Sequence, residues 1–199
     1  MKTEPRRNPP QKRRLPRRVT AAHLENAALH YLERFSSSSA NLRRVLMRKV
    51  ARSARAHGTD PAEGVGLVEA IIARYLQSGL LDDAAYAVQK AASLRRRGTS
   101  RYGIRGKLAV KGVDAEFIDA ALERLDGERG SGDLGAACAL MRRRRLGAYR
   151  PKEERAAHRR KDLAALARAG FSLDVARRVL AAADVDALEA LARGGDELD

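Results

Sequence analysis

A chain of 199 residues with 40 Lys and Arg against 25 Asp and Glu, and so a net charge of +15, has room for one or two compact domains or one repeat array. That charge favours acidic partners: nucleic acid, an acidic protein surface or an anionic membrane surface. The single cysteine excludes an internal disulfide and a multi-cysteine zinc site, and no window approaches the ~18 uninterrupted apolar residues of a membrane span, so a soluble, cytoplasmic protein is expected.

Residues 1–19, MKTEPRRNPPQKRRLPRRV, contain eight Lys and Arg and one acid, Glu4. Pro5, Pro9, Pro10 and Pro16 forbid a continuous helix, and too little apolar surface is present to offset ordering entropy. The segment reads as a disordered basic arm, either a tether to nucleic-acid backbone or a solubilising tail. No apolar core follows its charges, so it does not read as a signal peptide.

From Thr20, a capping residue, Leu24, Ala27, Ala28, Tyr31, Leu32 and Phe35 recur at helical spacing. Ser36 to Ser39 form a turn, and Leu42, Val45, Leu46 and Val50 make a second stripe. Gly58 then ends one helix while Asp60 and Pro61 start the next, whose core face is Val68, Ile71, Ile72, Tyr75 and Leu76. His23, His30 and His57 have no partner at ligand spacing and read as surface or capping residues, not as a metal site.

The stretch from Gly79 to Leu125 predicts three more helices, around Tyr86 to Leu94, Ile104 to Leu108 and Phe117 to Leu125. Asp82 or Asp83, Thr99 or Ser100, and Asp114 are the candidate caps, with Gly98 and Gly112 placed where a helix end favours a left-handed residue. So small a unit buries little by itself, which predicts repetition. Leu32, Leu42, Leu46 and Lys49 recur at one offset as Leu94, Ile104, Leu108 and Lys111 (94 − 32 = 62), and Leu108, Gly112, Val113 and Leu122 recur as Leu166, Gly170, Phe171 and Leu180 (166 − 108 = 58). The third copy carries extra residues between its first two helices, within Gly147 to Lys161.

The expected architecture is all-α. Three tandem three-helix repeats, 20–79, 80–127 and 128–184, form an elongated curved array between the basic arm and an acidic C-terminal tail, 185–199, that either folds as a last short helix or stays loose. DGERGSGDLG, with Gly127, Gly130, Gly132 and Gly135, reads as the linker between the second and third units. Cys138, within LGAACALM, reads as a small buried residue.

Several of these stretches together resemble one known family. LLDDAAYA, LRRRG followed by GIRGKLAVKGV, YLERFSSSSANLRRVLMRKV and RAGFS are similar, in order and spacing, to RecX, the bacterial regulator of the recombinase RecA. The resemblance spans roughly Ala21 to Ala183. The arm falls outside it, and Gly103 and Gly106 depart from it by interrupting a contact helix.

The resemblance implies a monomer that acts by binding, without catalytic, cofactor or metal residues. Its partner would be RecA, both the monomer and the filament on single-stranded DNA. It would inhibit RecA's recombinase, ATPase and co-protease activities in DNA repair and the SOS response. The candidate contact residues are the cations that recur along the repeats: Arg95, Arg96, Arg97, Arg101, Arg105, Lys107 and Lys111 in the second unit, then Arg142, Arg143, Arg144, Arg145, Arg159, Arg160 and Lys161 in the third. The alternative is a helical module that touches DNA directly through the same faces and the arm, but the sequence has no Trp and few aromatics for stacking on single strands. Adjacent Asp82 and Asp83 point about 100° apart on a helix and do not converge as an acid and base pair.

Overall fold

The computed structural model describes residues 15–128 and 132–193. Among these residues the regular structure is entirely helical. The first unit holds α1 (Ala21–Leu32), α2 (Ser39–His57) and α3 (Pro61–Gln77); the second holds α4 (Asp83–Arg96), α5 (Arg101–Val110) and α6 (Ala115–Glu128). The third holds α7 (Gly132–Arg144), α8 (Arg155–Arg168), α9 (Leu173–Ala181) and α10 (Val185–Arg193), with two short 3-10 turns at Gly147–Tyr149 and Lys152–Glu154. Among the described residues no helix is long and apolar enough to cross a membrane.

Each unit has its own core. Leu24, Leu42, Leu46, Val68 and Ile72 centre the first, Ile104, Leu108, Ile118 and Leu122 the second, and Leu140, Met141, Leu166, Val179 and Leu188 the third. The repeat offsets survive in this packing: Leu42 and Ile104, Leu46 and Leu108, and Leu166 in the third unit are all fully buried. Local chemistry sets the helix boundaries. Thr20, Ser38, Asp60, Asp82, Ser100 and Ser172 each accept from an amide of the first turn, while Gly58 ends α2 in the left-handed region.

The units join through the ends of their middle helices, α2, α5 and α8. Ser38, the cap of α2, donates its hydroxyl to the Lys111 carbonyl at the end of α5, 2.6 Å away, while Ser100, the cap of α5, donates to the Ala169 carbonyl at the end of α8, 2.7 Å away. The two serines are related by the first offset (100 − 38 = 62) and the two carbonyls by the second (169 − 111 = 58). An aspartate in the first turn of the following unit completes each junction: Asp83 accepts from the Ser39 amide and Asp133 from the Arg101 amide, at 2.8 and 2.7 Å. Gly112 and Gly170, both at positive φ, let the chain leave each helix end hard against its neighbour. A Cβ on Gly112 would lie 2.5 Å from that of Ala40, and one on Gly170 would lie 2.8 Å from the Ser100 hydroxyl.

Two sequence expectations, the arm and the linker, meet the structure differently, and two others, the tail and the extra residues, gain detail from it. Of the basic arm, residues 1–14 lie outside the described residues, but the last part is anchored: the Val19 amide donates to buried Ser53 Oγ at 2.9 Å, and the His57 ring meets the Pro16 carbonyl. The glycine-rich stretch read as a linker is mostly helix, since α6 continues to Glu128 and α7 starts at Gly132, where the bonds made by Asp133 fix the first turn. Of the two alternatives for the tail, residues 185–193 take the helical one as α10 and bury Leu188 completely in the third core; 194–199 lie outside the described residues. The extra residues of the third copy lie between α7 and α8, within Gly147 to Lys161, and form the two 3-10 turns, the first of which is held by Asp162. Burial alone would raise the pKa of that carboxyl, but two bonds from Arg150 and one from the Gly147 amide outweigh it and hold the carboxyl below its ordinary range.

Ser100 and Ser172 are both helix caps, but only Ser100 also bonds across a junction. Ser172→Ala should cost about 1 kcal/mol of stability, the loss of one cap. Ser100→Ala should cost about 1 kcal/mol more, because the junction hydrogen bond is lost as well. Urea unfolding of both variants measures the difference; equal losses would mean that the junction bond contributes nothing.

Candidate partner-binding surface

The cations singled out in the sequence do not share one environment. Arg95 points inward: its side chain is only 10% exposed and pairs with Asp126 and Asp133. Arg101 pairs with the same Asp126, so two arginines and two aspartates close a network across the second and third units. Here Asp133 does two jobs, holding the start of α5 and neutralising Arg95. Arg105 is tied to Asp119 of α6, and Lys111 places its Nζ 3.2 Å from Asn41 Oδ1 at the junction of the first and second units. Lys107 is exposed, with Nζ 3.5 Å from Thr99 Oγ1.

Arg96 and Arg97 are exposed at the end of α4, as are Arg142 to Arg145 at the end of α7. The structure draws these two helix ends together. Gly98, at φ +75°, turns the chain directly against α7, where a Cβ would lie 2.5 Å from the Leu140 nitrogen. Arg143 Nη1 then donates to the Arg97 carbonyl at 2.7 Å. A carbonyl at a helix C-terminus carries partial negative charge, so cations there stabilise the fold as well as facing solvent. Arg159, Arg160 and Lys161 are exposed on α8, where Arg159 caps the Leu180 carbonyl of α9 at 3.0 Å. They sit about 14 Å along the α8 axis from its junction with α5, at the helical rise per residue.

The groups with displaced pKa values owe them to burial or to local pairs and are spread over the three units. Burial pushes the Cys138 thiol up to about 11, and its sulfur donates to the Leu188 carbonyl, which holds α10 against α7. Burial and then the Glu25 carboxylate raise the Tyr75 phenol to about 12, while that hydrogen bond also lowers Glu25. Among the described residues no cluster of His, Cys, Asp and Glu has the make-up of a metal site.

Sequence reasoning missed the outward face of α5. Tyr102 and Val110 are 76% and 71% exposed, and with Gly106 between them they recur every fourth residue on the side opposite Ile104 and Leu108. That period was legible in the sequence, but it is hidden among the cations that flank it.

Comparison with known proteins adds a separate line of support. The description of the second three-helix domain of RecX matches residues 82–122. Regulatory protein RecX of Myxococcus xanthus (strain DK1622) is 45% identical over 166 residues, covering 83% of this chain and 88% of the relative. Regulatory protein RecX of Agrobacterium fabrum (strain C58) is 33% identical over 156 residues, covering 78% and 80%. That of Halorhodospira halophila (strain DSM 244 / SL1) is 34% identical over 163 residues, covering 82% and 89%. No solved structure matches the chain.

The division between inward and outward arginines is measurable. Arg95→Ala removes the buried cation shared by two partly hydrated carboxylates, each of which keeps a bond from Arg101, and it should cost about 2 kcal/mol of stability. Arg96→Ala, one residue away and exposed, should stay within about 0.5 kcal/mol of the parent protein. Chemical denaturation of the two variants tests this; equal effects would remove Arg95 from the structural network.

Proposed function

The chain belongs to the RecX family of regulatory proteins, and on that premise we propose that it binds RecA and its filament on single-stranded DNA. It acts there as a monomeric, non-enzymatic regulator in the cytoplasm, within DNA repair and the SOS response. Bound to the filament, it opposes ATP turnover, strand exchange and co-protease activity. The observation that carries the reading is the exposed arginine surface made where the ends of α4 and α7 meet. A filament on single-stranded DNA carries nucleic-acid phosphate, and opposite charge accelerates encounter and fixes register.

The junctions support this reading as well. Each unit is tied to the next through paired helix ends, so the cations of successive units are held at fixed separations. A partner that repeats along its own axis can then be met at more than one point, which multiplies affinity without new kinds of contact. The contact set proposed is Arg96, Arg97 and Arg142 to Arg145, with Lys107, Arg159, Arg160 and Lys161 as further exposed cations. Arg95 is left to the fold.

Replacing Arg96, Arg97 and Arg144 together by Glu should raise the protein concentration that half-inhibits the DNA-dependent ATPase of RecA by at least about tenfold, the scale of losing a few charge contacts. Helix content by circular dichroism should be unchanged, because none of the three side chains is buried. Inhibition equal to that of the parent protein would show that this surface does not face RecA.

A further inference from the structure

The outward face of α5 forms one side of a groove whose other side is α4. The groove is open to solvent, with a volume of about 750 Å³, and its apolar lining is Leu94, Tyr102 and Val110 with Gly106 between them. Every charged residue that lines it is a cation. Lys90 and Lys107 stand at its edges, while Arg105 and Lys111 are partly engaged by Asp119 and Asn41.

Gly106 has no explanation inside the fold. Glycine within a helix is less favourable than alanine, and it is tolerated where a side chain would collide or where another backbone must approach. Gly103, one turn earlier, meets the first condition: a Cβ there would lie 2.9 Å from Thr99 Cγ2 and 3.2 Å from Ser100 Oγ, beside the junction. At Gly106 a Cβ would meet nothing within 4 Å. The bare position instead opens the floor of the groove between two exposed apolar side chains, where another backbone can approach closely.

We propose that the groove between α4 and α5 docks an acidic, amphipathic α-helix of a partner protein. Its apolar stripe lies on Leu94, Tyr102 and Val110, its axis comes close over Gly106, and its flanking carboxylates meet Lys90 and Lys107. Helix in groove is an established recognition mode, in which the docked helix lays one apolar face on the floor of a groove, and the cations round this floor select an acidic helix. A single-stranded nucleic acid fits the floor less well, because stacking requires successive aromatic platforms and only Tyr102 is aromatic. The proposal rests on reading the chain as a binding protein and adds the chemistry of what it binds.

The test uses the full chain and three labelled probes followed by fluorescence anisotropy at 0.15 M salt. The first is an 18-residue helical peptide with Leu or Ala along one stripe and Glu elsewhere; the second has the same composition with the Leu residues scattered round the wheel; the third is oligo(dT). The striped peptide should bind at least about tenfold more tightly than the scattered one, the scale of a single anchor. Gly106→Leu should weaken the striped peptide at least about tenfold, by the same argument. Gly106→Ala should raise the unfolding midpoint, showing that a side chain there does not harm the fold. Equal binding of the two peptides, striped-peptide binding unchanged in Gly106→Leu, or oligo(dT) bound more tightly and lost in Gly106→Leu would each overturn the proposal. Suppose that docking fails while reversal of Arg96, Arg97 and Arg144 still relieves RecA inhibition: the groove falls and the RecA reading stands. Docking that holds while the reversal leaves inhibition unchanged has the opposite meaning.

Discussion

A helix exposes unpaired amides at its start and unpaired carbonyls at its end, and this protein brings such ends together at two junctions. The molecule depends on how those ends are satisfied. Each junction uses one serine twice: it accepts from its own helix and donates to the last carbonyls of the next middle helix. An aspartate from the following unit takes a further amide at the helix start. The middle helices therefore stack with the positive end of one dipole on the negative end of the next, an arrangement that suits both. The three small cores, each too slight to stand securely alone, gain partners through these contacts.

Much of this was legible in the sequence, because repeats reuse the same chemistry. The offsets found from leucines also relate Ser38 to Ser100 and Lys111 to Ala169, residues chosen by junction geometry and not by core packing. The left-handed glycines at Gly98 and Gly112 were visible for the same reason, since few other residues suit that backbone. What pattern could not supply was the destination of individual charges. Arg95, Arg96 and Arg97 look alike in a chain, and only Asp126 and Asp133, more than thirty residues away, separate the first from the other two. The glycines of 127–135 misled in the other direction. They suggest a linker, but the bonds made by Asp133 compensate for the weak helix propensity of its neighbours.

The division of the cations has a functional consequence. A net charge of +15 overstates the surface on offer, because Arg95, Arg101, Arg105 and Arg150 are already matched by carboxylates. Exposed cations remain where α4 and α7 end together and along α8, and also along α2 at Arg44, Arg48, Arg52 and Arg55. A binding surface assembled from helix ends inherits the rigidity of the junctions beneath it, and pre-organised side chains lose less entropy when a partner arrives.

The central claim is that the repeats recognise a RecA-coated strand and not the strand alone. Co-sedimentation of the full chain with RecA filaments, beside bare single-stranded DNA at the same physiological salt, tests this most directly. The account predicts that the protein pellets with the filament under conditions where bare DNA leaves most of it in solution. Equal recovery with both, falling together as salt is raised, would make it a direct DNA-binding module and contradict the account.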